Sequence, residues 1–277
     1  KKHFGSLKEM VEKYYLREEQ HFMLKEYCVS KGIEFCSTAF SEQEADLLDK
    51  LEVPFFKIAS MDINNLRLLK YIAKKGKPVI LSTGMATIAE IETAVKSIES
   101  EGNKNIIILH CISIYPPNPK DINLNNIIML RQLFPNYPIG FSDHTIGVSV
   151  PMASVALGAC VIEKHFTIDK NLPGWDHEIS ADSTEMKFIV QESKIVADSM
   201  GNYYRTVSAA EEEKKKKFRR SIVLAKDIKK GEVIKNDDIT YKRPGTHIRP
   251  DEDMYVIGRK LIRDMHEDDL LDWCDME

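Results

Sequence analysis

The sequence lacks any uninterrupted apolar run of the roughly 18 to 20 residues that a membrane-spanning helix requires. It also lacks a basic surplus, because 39 lysines and arginines stand against 43 aspartates and glutamates, for a formal net charge of -4. That balance argues against a dedicated nucleic-acid binder. Residues 1–15 are charged and helical in pattern, unlike a signal peptide. We therefore expect a cytoplasmic protein that binds neither membrane nor nucleic acid.

Cysteine is scarce and unpaired. There are five cysteines, an odd number, and none of them forms a CxxC pair. Three lie inside strand-like apolar runs. Small core residues in a reducing compartment fit this pattern better than disulfides, a zinc site or a catalytic thiol. The five are Cys28, Cys36, Cys111, Cys160 and Cys274.

The sequence does contain a repeated alternation of apolar runs and amphipathic stretches. Each of six short apolar runs stops at a hydroxyl, a lysine or an imidazole, and the runs recur at the spacing of β/α units. This alternation is typical of a parallel sheet covered by helices. The predicted strands are 33–38, 54–60, 78–83, 105–115, 138–144 and 159–165. The predicted helices are 6–31, 41–51, 64–76, 87–102, 123–134, 147–158 and 184–201.

Length and pattern together predict the α/β class and a TIM-type (β/α)8 barrel. At 277 residues, with 43% hydrophobic content, the chain can bury one barrel and a small appendage. Such a barrel has eight strands, whereas only six are found here. Because no strand precedes the first helical stretch, we expect the first two strands to precede Lys1 in the natural protein. An incomplete barrel is the alternative.

A change of character divides the chain into domains. Residues 1–201 carry the β/α alternation of the barrel. Residues 202–217 contain a block of charges with little to bury, so we interpret them as a linker or an exposed helix. Residues 218–277 switch to short strands and turns, and we predict a small β-rich domain there.

Polar residues at the ends of the predicted strands form the candidate site. The carboxyl ends of barrel strands gather on one face, and active sites lie there. Hydroxyls and a lysine suit an anionic ligand, and two imidazoles suit a metal. The set is Thr38, Lys57, Ser60, Ser82, Ser113, Tyr115, Ser142, His144 and His165.

Two histidines, His144 and His165, end the last two predicted strands. Neutral imidazole is the commonest transition-metal ligand, and two of them leave positions open for water and a substrate oxygen. A hydrogen-bonded structural role is the alternative for either histidine alone. Their pairing, with Asp143 and Glu163 close by in sequence, favours a metal site.

Three serines and one lysine point to an anion. Ser60, Ser82 and Ser142 come from different strands, which favours phosphate binding, although Ser82 could instead cap a helix. Lys57 lies in an otherwise apolar strand, where a lysine needs an anionic partner. It pairs with a ligand carboxylate or phosphate, or it forms a Schiff base as in aldolases.

Three loops add weaker candidates. Tyr115 lies in the proline-rich loop 113–119, where it faces a substrate or merely caps the core. Asp176 and His177 lie in the loop 173–180 that follows the last predicted strand, and loops of this kind often carry function. Arg243 and Arg249 flank a turn in the small domain, where surface arginines usually have no specific role.

Nine ordered motifs resemble the sialic acid synthase family, the nonulosonate synthases. They cover the chain from about residue 30 to the end, and the last two are similar to the antifreeze-like (SAF) module that ends these enzymes. The motifs are STAFSEQEA (37–45), FKIASMD (56–62), GKPVILSTGMAT (76–87), LHCISIYP (109–116), IGFSDHT (139–145), EKHFT (163–167), PGWDHEIS (173–180), RRSIVLAKDIKKGE (219–232) and KRPGTHI (242–248).

The resemblance implies an enzyme that condenses phosphoenolpyruvate with an N-acylated hexosamine to give a nonulosonic acid and phosphate. It implies catalytic roles for Lys57, His144 and His165. The two histidines would bind a divalent metal, usually manganese, with magnesium or cobalt as alternatives. The acceptor stays open among N-acetylmannosamine, a phosphorylated sugar, and the diacetamido sugars that lead to legionaminic or pseudaminic acid.

The resemblance also implies contacts to phosphoenolpyruvate. Thr38 and Lys57 match positions that hold its carboxylate. Ser60, Ser82 and Ser142 match its phosphate ligands.

The remaining matches concern the sugar and the partner subunit. Tyr115 and Asp176 match sugar-binding positions, and Ser113 stands where some members have an asparagine near the phosphate. Arg243 matches an arginine that reaches a partner subunit's site, which implies a domain-swapped homodimer. His247 replaces a commoner glycine in the GTHI turn, and the PGWDH loop differs from that of well-known N-acetylneuraminate synthases. The family also opens with a glutamate-bearing and a lysine-bearing strand, and neither is found after Lys1.

Two other hypotheses stay open. One is an aldolase of another class with Lys57 as the Schiff base, which strict metal dependence would exclude. The other is a non-catalytic binding protein with a relict barrel, which predicts that His144→Ala changes no activity.

Overall fold

The computed structural model describes residues 6–174 and 176–277. The chain divides into two compact units, one that ends at Gly201 and one that begins at Asn202. Residues 1–5, at the start of the charged opening stretch, and Trp175, within the PGWDHEIS motif, lie outside the described residues. Within the described residues, no helix is both long and apolar enough to cross a membrane.

A curled, five-stranded parallel sheet forms the centre of the first unit. Its strands pair in chain order, so that Phe56 lies across from Val79 and His110 across from Phe141. The α/β class is thereby confirmed, whereas closure into eight strands stays a prediction. The strands are β1 (Phe56–Ile58), β2 (Val79–Ser82), β3 (Ile106–Cys111), β4 (Ile139–Asp143) and β5 (Ile162–Lys164).

Helices connect and cover these strands. The N-terminal ends of α3 and α5 are capped by hydroxyls, because Ser41 Oγ accepts from the Glu44 N–H and Thr87 Oγ1 accepts from the Glu90 N–H. The helices of this unit are α1 (Leu7–Tyr14), α2 (Glu18–Ser30), α3 (Glu42–Lys50), α4 (Leu66–Ala73), α5 (Ile88–Glu99), α6 (Asn125–Leu133), α7 (Ser149–Ala156) and α8 (Ser183–Met200).

The prediction of a strand at 33–38 is wrong. This segment is extended, but it forms only an isolated parallel bridge between Thr38 and Lys57. Its first residue, Ile33, is exposed. Among the described residues, the bridge gives the segment a neighbouring strand on one side only. With so little pairing and burial, the segment lacks the cross-strand side-chain contacts that stabilise a regular strand. The other five predicted strands are confirmed.

The predicted helical stretch 6–31 is two helices rather than one. α1 and α2 are separated at residues 15–17, where Arg17 adopts an extended backbone and its N–H donates to the Gln20 side chain. α2 has no buried residue. Its apolar side chains include the consecutive Phe22, Met23 and Leu24, which helical geometry spreads around the axis.

The core of the first unit lies between the sheet and the inner faces of its helices. Val79, Leu81, Ile106 and Ile108 are almost fully buried, as expected of strands covered on both faces. The helices contribute their own apolar stripe, led by Leu69, Ile72, Ala94, Ile98 and Ile127. This packing fixes the sheet whose strand ends carry the polar residues.

The second unit has its own core around an antiparallel pair of strands. β6 (Ser221–Leu224) pairs with β7 (Ile239–Lys242). Ile222, Val256 and Leu271 are fully buried there. The charged segment before this pair contains an exposed helix, α9 (Ala209–Phe218), one of the two alternatives for residues 202–217.

Candidate active site

A cavity of about 370 Å³ lies at the carboxyl ends of the parallel strands. It brings together all nine strand-end residues singled out in the sequence. We call it the strand-end cavity. Its lining is Thr38, Lys57, Ala59, Ser60, Met61, Ser82, Met85, Cys111, Ser113, Tyr115, Ser142, His144, Glu163 and His165.

Lys57 is the central cation of the strand-end cavity. It comes from β1 and is 8% exposed. Its Nζ donates to Ser82 Oγ at 2.8 Å and to the Ile58 carbonyl at 3.0 Å, and it lies 3.3 Å from Glu163 Oε2. Ser142 Oγ donates to the other carboxylate oxygen of Glu163 at 2.8 Å. Two hydrogen bonds and this ion pair therefore join β1, β2, β4 and β5 along the cavity wall.

Glu163 is the residue that the strand-end reasoning did not include in the site. The signal for it lies in the register, because Ser142 of β4 stands directly across from Glu163 of β5. Side chains alternate between the faces of a strand, so a carboxylate beside a cavity hydroxyl belongs to the cavity face. The next residue, Lys164, points away from it.

Lys164 forms a buried ion pair with Asp143 on the other side of these strands. The two atoms, Lys164 Nζ and Asp143 Oδ2, lie 2.7 Å apart, and both side chains are almost fully buried. Lys164 also donates to the Thr145 carbonyl at 2.6 Å. Asp143 is therefore engaged in fixing the ends of β4 and β5, and it does not line the strand-end cavity.

A serine and a glycine shape the opposite wall. Ser60 Oγ accepts a hydrogen bond from the Gly84 N–H at 2.9 Å. A Cβ at Gly84 would lie 2.1 Å from Ser113 Oγ and 2.8 Å from Ser60 Oγ. Because such distances are far below van der Waals contact, only glycine fits without displacing these hydroxyls. The helix cap in this region is Thr87, so Ser82 does not serve as one.

The two histidines lie side by side at the mouth of the cavity. The ring centroids of His144 and His165 are 5.3 Å apart, and the Tyr115 ring lies 4.1 Å from that of His144. His144 Nδ1 donates to the Ile112 carbonyl at 2.8 Å, which leaves Nε2 with the lone pair in the neutral ring. His165 Nδ1 lies 3.9 Å from a carboxylate oxygen of Asp176.

These residues fit a divalent ion of the kind that the resemblance implies. An anchored Nδ1 on the ligand histidine is the usual way in which proteins orient a metal-binding imidazole. Within residues 6–174 and 176–277, no cluster of three histidine, cysteine or acidic side chains could hold an ion. With two protein ligands, a metal at His144 and His165 would have further positions for water and substrate oxygens.

The two imidazoles differ in proton affinity. Burial lowers the pKa of His165, and Asp176 only partly offsets this. Burial also lowers the pKa of His144, but hydrogen bonds to Cys111 Sγ and the Ile112 carbonyl outweigh it, so the pKa is raised overall. A proton would therefore compete with a metal ion more strongly at His144 than at His165.

A second pocket of about 470 Å³ adjoins the strand-end cavity at His165. It contains Asp176, which the sequence analysis identified as a candidate. It also contains residues of α1 and of the loop after β5 that were not candidates. We call it the loop pocket. Its described lining is Val11, Tyr14, Tyr15, His165, Phe166, Pro173, Gly174, Asp176, His177 and Ser180.

Arg243 lies in the second unit, at the end of β7. Its guanidinium stacks 5.1 Å from the centroid of the Phe218 ring, within the same unit. His247, of the GTHI turn, donates its backbone N–H to Ser221 Oγ at 3.0 Å. The role of Arg243 in a partner's site stays a prediction.

Comparison with known proteins decides the family. The model of the NeuB family matches residues 1–205, which is most of the chain. The chain belongs to the NeuB family. A SAF domain model matches residues 219–277, and so the resemblance read from the sequence motifs is confirmed.

Relatives of this NeuB-family chain include enzymes with different named products. The N,N'-diacetyllegionaminic acid synthase of Legionella pneumophila is 40% identical over 97% of this chain and 76% of its own length. The N-acetylneuraminate-9-phosphate synthase of Homo sapiens is 34% identical over 91% of this chain and 70% of its own length. The crystal structure of an N-acetylneuraminic acid (sialic acid) synthetase from Leptospira borgpetersenii has a TM-score of 0.71 and 39% identity, and the match covers 76% of this chain and 74% of that chain.

Proposed function

We propose that this NeuB-family chain condenses phosphoenolpyruvate with an N-acylated hexosamine to give a nonulosonic acid and inorganic phosphate. The observation that carries the proposal is the strand-end cavity, where a buried ammonium and several hydroxyls converge beside two imidazoles. This is a donor set for a small, highly charged anion next to a metal. The named activities of the relatives support the same reaction.

In the proposed complex, the strand-end cavity holds phosphoenolpyruvate. Lys57 and Thr38 hold its carboxylate, and the hydroxyls of Ser60, Ser82 and Ser142 hold its phosphate. Lys57 and the three serines are fixed by strands or by the turn that follows one, and the existing hydrogen bonds hold Lys57 in place before substrate arrives. The main contribution of these residues is orientation and charge stabilisation.

The loop pocket holds the open-chain sugar, with its aldehyde at the boundary with the strand-end cavity. Asp176 accepts hydrogen bonds from sugar hydroxyls, and Tyr115 packs against the reacting end. His165 lines both spaces, so the two substrates meet beside it.

The reaction forms one carbon–carbon bond and one carbon–oxygen bond from water, and it breaks the carbon–oxygen bond to phosphate. C3 of phosphoenolpyruvate attacks the aldehyde carbon, the aldehyde oxygen becomes a hydroxyl, and C2 becomes positively charged. A divalent ion, which we propose to be manganese, would be held by His144 and His165 and would polarise the aldehyde oxygen. Water adds to C2 and forms a new carbon–oxygen bond, and one of its protons passes to Glu163, which balances the proton taken up by the former aldehyde oxygen. The C2–O bond to phosphate then breaks, the remaining C2 hydroxyl gives its proton to the departing phosphate and becomes the ketone oxygen, and Lys57 balances the phosphate charge.

The test is phosphate release from phosphoenolpyruvate, measured with manganese, magnesium or cobalt, with EDTA, and across a panel of N-acylated hexosamines. We expect release that requires both a metal and a sugar, and near-complete loss in His144→Ala. A matched control is His266→Ala, because His266 is exposed in the second unit. Release without sugar, or unchanged activity in His144→Ala, contradicts the proposal.

The Schiff-base hypothesis receives less support from the geometry. Lys57 Nζ already has a hydroxyl, a carbonyl and a carboxylate around it, which is the environment of an ammonium ion rather than a free amine. Treatment with borohydride and a keto acid is expected to leave no adduct at Lys57. A trapped adduct there would favour the aldolase.

We also propose a homodimer in which Arg243 of one protomer completes the site of the other, as the resemblance implies. Mixing an inactive His144→Ala chain with an inactive Arg243→Ala chain should then restore part of the activity, since one site of a mixed dimer is intact. No restoration, together with a monomer in light scattering, contradicts the dimer.

A further inference from the structure

Two methionines lie at the strand-end cavity, and the proposed function gives neither of them a role. Met61 follows β1 and Met85 follows β2, which pair with each other, and both side chains line the cavity. Met61 is 67% exposed and Met85 is 73% exposed. A single exposed apolar side chain is common on a protein surface, but two on adjoining turns of one cavity are a feature of that cavity. We call this pair the methionine rim.

The backbone beneath Met61 is fixed. Ser60–Asp62 form a single 3₁₀ turn, in which the Asp62 N–H donates to the Ala59 carbonyl at 3.0 Å. The next residue, Ile63, is buried in the core of the first unit. The conformational freedom of Met61 therefore lies in its side chain, which is unbranched and has three rotatable bonds.

Met85 occupies a backbone position that glycine would normally fill. Its φ is +66°, and it is the third residue of a turn that the Ala86 N–H closes by donating to the Thr83 carbonyl at 3.2 Å. A positive φ at this position favours glycine or asparagine, because the Cβ of other residues crowds the backbone. A long apolar side chain kept at an unfavourable position at a cavity indicates a use for the side chain itself.

One hydrogen bond joins the two turns beneath the methionine rim. The Gly84 N–H donates to Ser60 Oγ at 2.9 Å, so the residues just before Met85 and Met61 are in contact. The Ser60 hydroxyl is one of those that we propose to hold the phosphate of phosphoenolpyruvate. Both thioether side chains therefore start next to the proposed phosphate position.

Aromatic rings line another part of the same cavity. The Tyr115 ring lies 4.1 Å from the His144 ring and 5.8 Å from the His165 ring, centroid to centroid. The acceptor is proposed to arrive beside His165, which the cavity shares with the loop pocket. A cover formed by the methionine rim would thus shield the anion and leave the approach of the acceptor open.

We propose that Met61 and Met85 fold over phosphoenolpyruvate when it binds and exclude water from its C2 and C3 until the acceptor reacts. The inference rests on the proposed function and adds two positioning residues to it. Flexible thioethers suit this task, because they adapt to an irregular surface. Removal of water also strengthens the contact between the anion and Lys57, since charges attract more strongly in less polar surroundings.

The side reaction that such a cover suppresses is the hydrolysis of phosphoenolpyruvate. In it, C3 takes a proton from the solvent instead of attacking the aldehyde. Water adds to C2 and returns one proton to the solvent, the C2–O bond to phosphate breaks, and the remaining hydroxyl proton passes to the phosphate. Phosphoenolpyruvate and water thereby give pyruvate and phosphate. Phosphate release without a new carbon–carbon bond is therefore the sign of a lost cover.

The first experiment measures the phosphate released per nonulosonic acid formed. We expect a ratio of about one in the unaltered chain and of about two or more in Met61→Ser/Met85→Ser, with pyruvate as the extra product. Met61→Leu/Met85→Leu keeps the apolar bulk and should restore a ratio of about one. The matched control is Met254→Ser, at an exposed methionine of the second unit, where the ratio should not change. An unchanged ratio in the double serine variant overturns the inference and leaves the proposed function standing.

Met85→Gly separates the side chain from the fold. Glycine accepts the left-handed backbone at this position, so the turn should form as before. The ratio of phosphate to nonulosonic acid should nevertheless rise above that of the unaltered chain. An unchanged ratio in a folded Met85→Gly chain overturns the role of Met85.

A binding measurement tests the methionine rim independently of turnover. The 11 methionine methyl groups of the chain are labelled with ¹³C, and the signals of Met61 and Met85 are assigned from the leucine variants. Inorganic phosphate, or phosphoenolpyruvate without a sugar, should shift both signals and reduce the fast motion of both methyl groups, while the Met254 signal stays constant.

The outcomes separate the two proposals. No response of Met61 and Met85 to either anion overturns the inference, whether or not the chain turns over. A response in a chain that releases no phosphate from phosphoenolpyruvate with any metal and sugar means that the proposed function fails, whereas the cover over a bound anion stands.

Discussion

The strand-end cavity and the loop pocket adjoin at one histidine, yet they are built in different ways. The cavity has a buried, cross-linked frame: Ser82 and Ser142 are 2% and 3% exposed, and two hydrogen bonds together with the Lys57–Glu163 ion pair join four strands. The loop pocket is built from a helix and a loop, with Tyr15 at 68% exposure. The sheet therefore fixes the site of the proposed common substrate, whereas a helix and a loop surround the site of the variable one.

The largest expected effect comes from removing the cation of the strand-end cavity. Lys57→Met deletes the proposed charge contact to phosphoenolpyruvate and leaves Glu163 without its partner. At about 1.4 kcal/mol per tenfold and about 1.5–3 kcal/mol per contact, the loss of two or three charge-assisted contacts corresponds to at least ~10² in kcat/KM. Steady-state kinetics checks this, with Lys96→Met, an exposed lysine on α5, as the control expected to change nothing. A loss below tenfold would remove Lys57 from the reaction.

A smaller effect, confined to the other substrate, is expected in the loop pocket. Asp176→Ala should raise the KM of the acceptor about 10- to 100-fold, since one hydrogen bond to a charged group is worth about 1.5–3 kcal/mol. The KM of phosphoenolpyruvate should change by less than about twofold, which is the size of effect expected of an ordinary surface substitution. Glu178→Ala, exposed in the same loop, is the control. Equal changes in both KM values would show that the two spaces are not separate subsites.

A substitution at Gly84 is expected to affect the binding of phosphoenolpyruvate and not that of the acceptor. Gly84→Ala places a methyl group against Ser113 and Ser60 and should raise the KM of phosphoenolpyruvate about tenfold, the lower range for a lost charge-assisted hydrogen bond. The KM of the acceptor should hardly change. The double variant Gly84→Ala/Ser113→Ala relieves the closest clash and should recover part of the loss. If thermal melting shows that both variants are unfolded, the crowding extends to the sheet itself.

The smallest effect concerns the sheet beneath the cavity. His110 is buried on β3, its Nε2 donates to the Ile122 carbonyl at 2.7 Å, and burial lowers its pKa. The unfolded chain therefore binds a proton more readily, so His110 contributes full stability above pH 6.5 and loses it as the pH falls. The loss is at most about 1.4 kcal/mol per pH unit for one group.

Urea denaturation between pH 7 and pH 5 measures this effect. His110→Gln keeps a side-chain N–H donor but does not titrate, so its unfolding free energy should fall less over this range than that of the unaltered chain. Parallel curves for the two proteins would show that His110 is not the titrating group.

The frame of the strand-end cavity was predictable because it follows from periodicity. Apolar runs of strand length carry Lys57, Ser82, Ser142 and His144 at or near their carboxyl ends, and parallel strands bring such ends together. The apolar pattern of a segment does not show how many neighbouring strands will pair with it. The segment 33–38 has the composition of a strand but only the bridge at Thr38.

The loop pocket could not be predicted in the same way. Val11 and Tyr15 are separated from Asp176 by more of the chain than any local pattern spans, and only tertiary packing brings them together. Asp176 was identified through its motif rather than through geometry. Glu163 lay within reach of sequence reasoning, because the facing residue in β4 is a cavity serine.

The buried pair of Lys164 with Asp143 has an evolutionary consequence. It anchors the last residue of β5 to β4, one position before His165 and the loop that follows it. A shift of the pairing by one residue would turn Lys164 toward the cavity and leave Asp143 buried without a counter-ion. Because this shift is unfavourable, the ion pair fixes the register of β4 and β5 at this point. The sequence after His165 is thus free to diverge without moving the residues before it. New acceptor preferences can then arise by drift in one loop while the inherited chemistry stays in place.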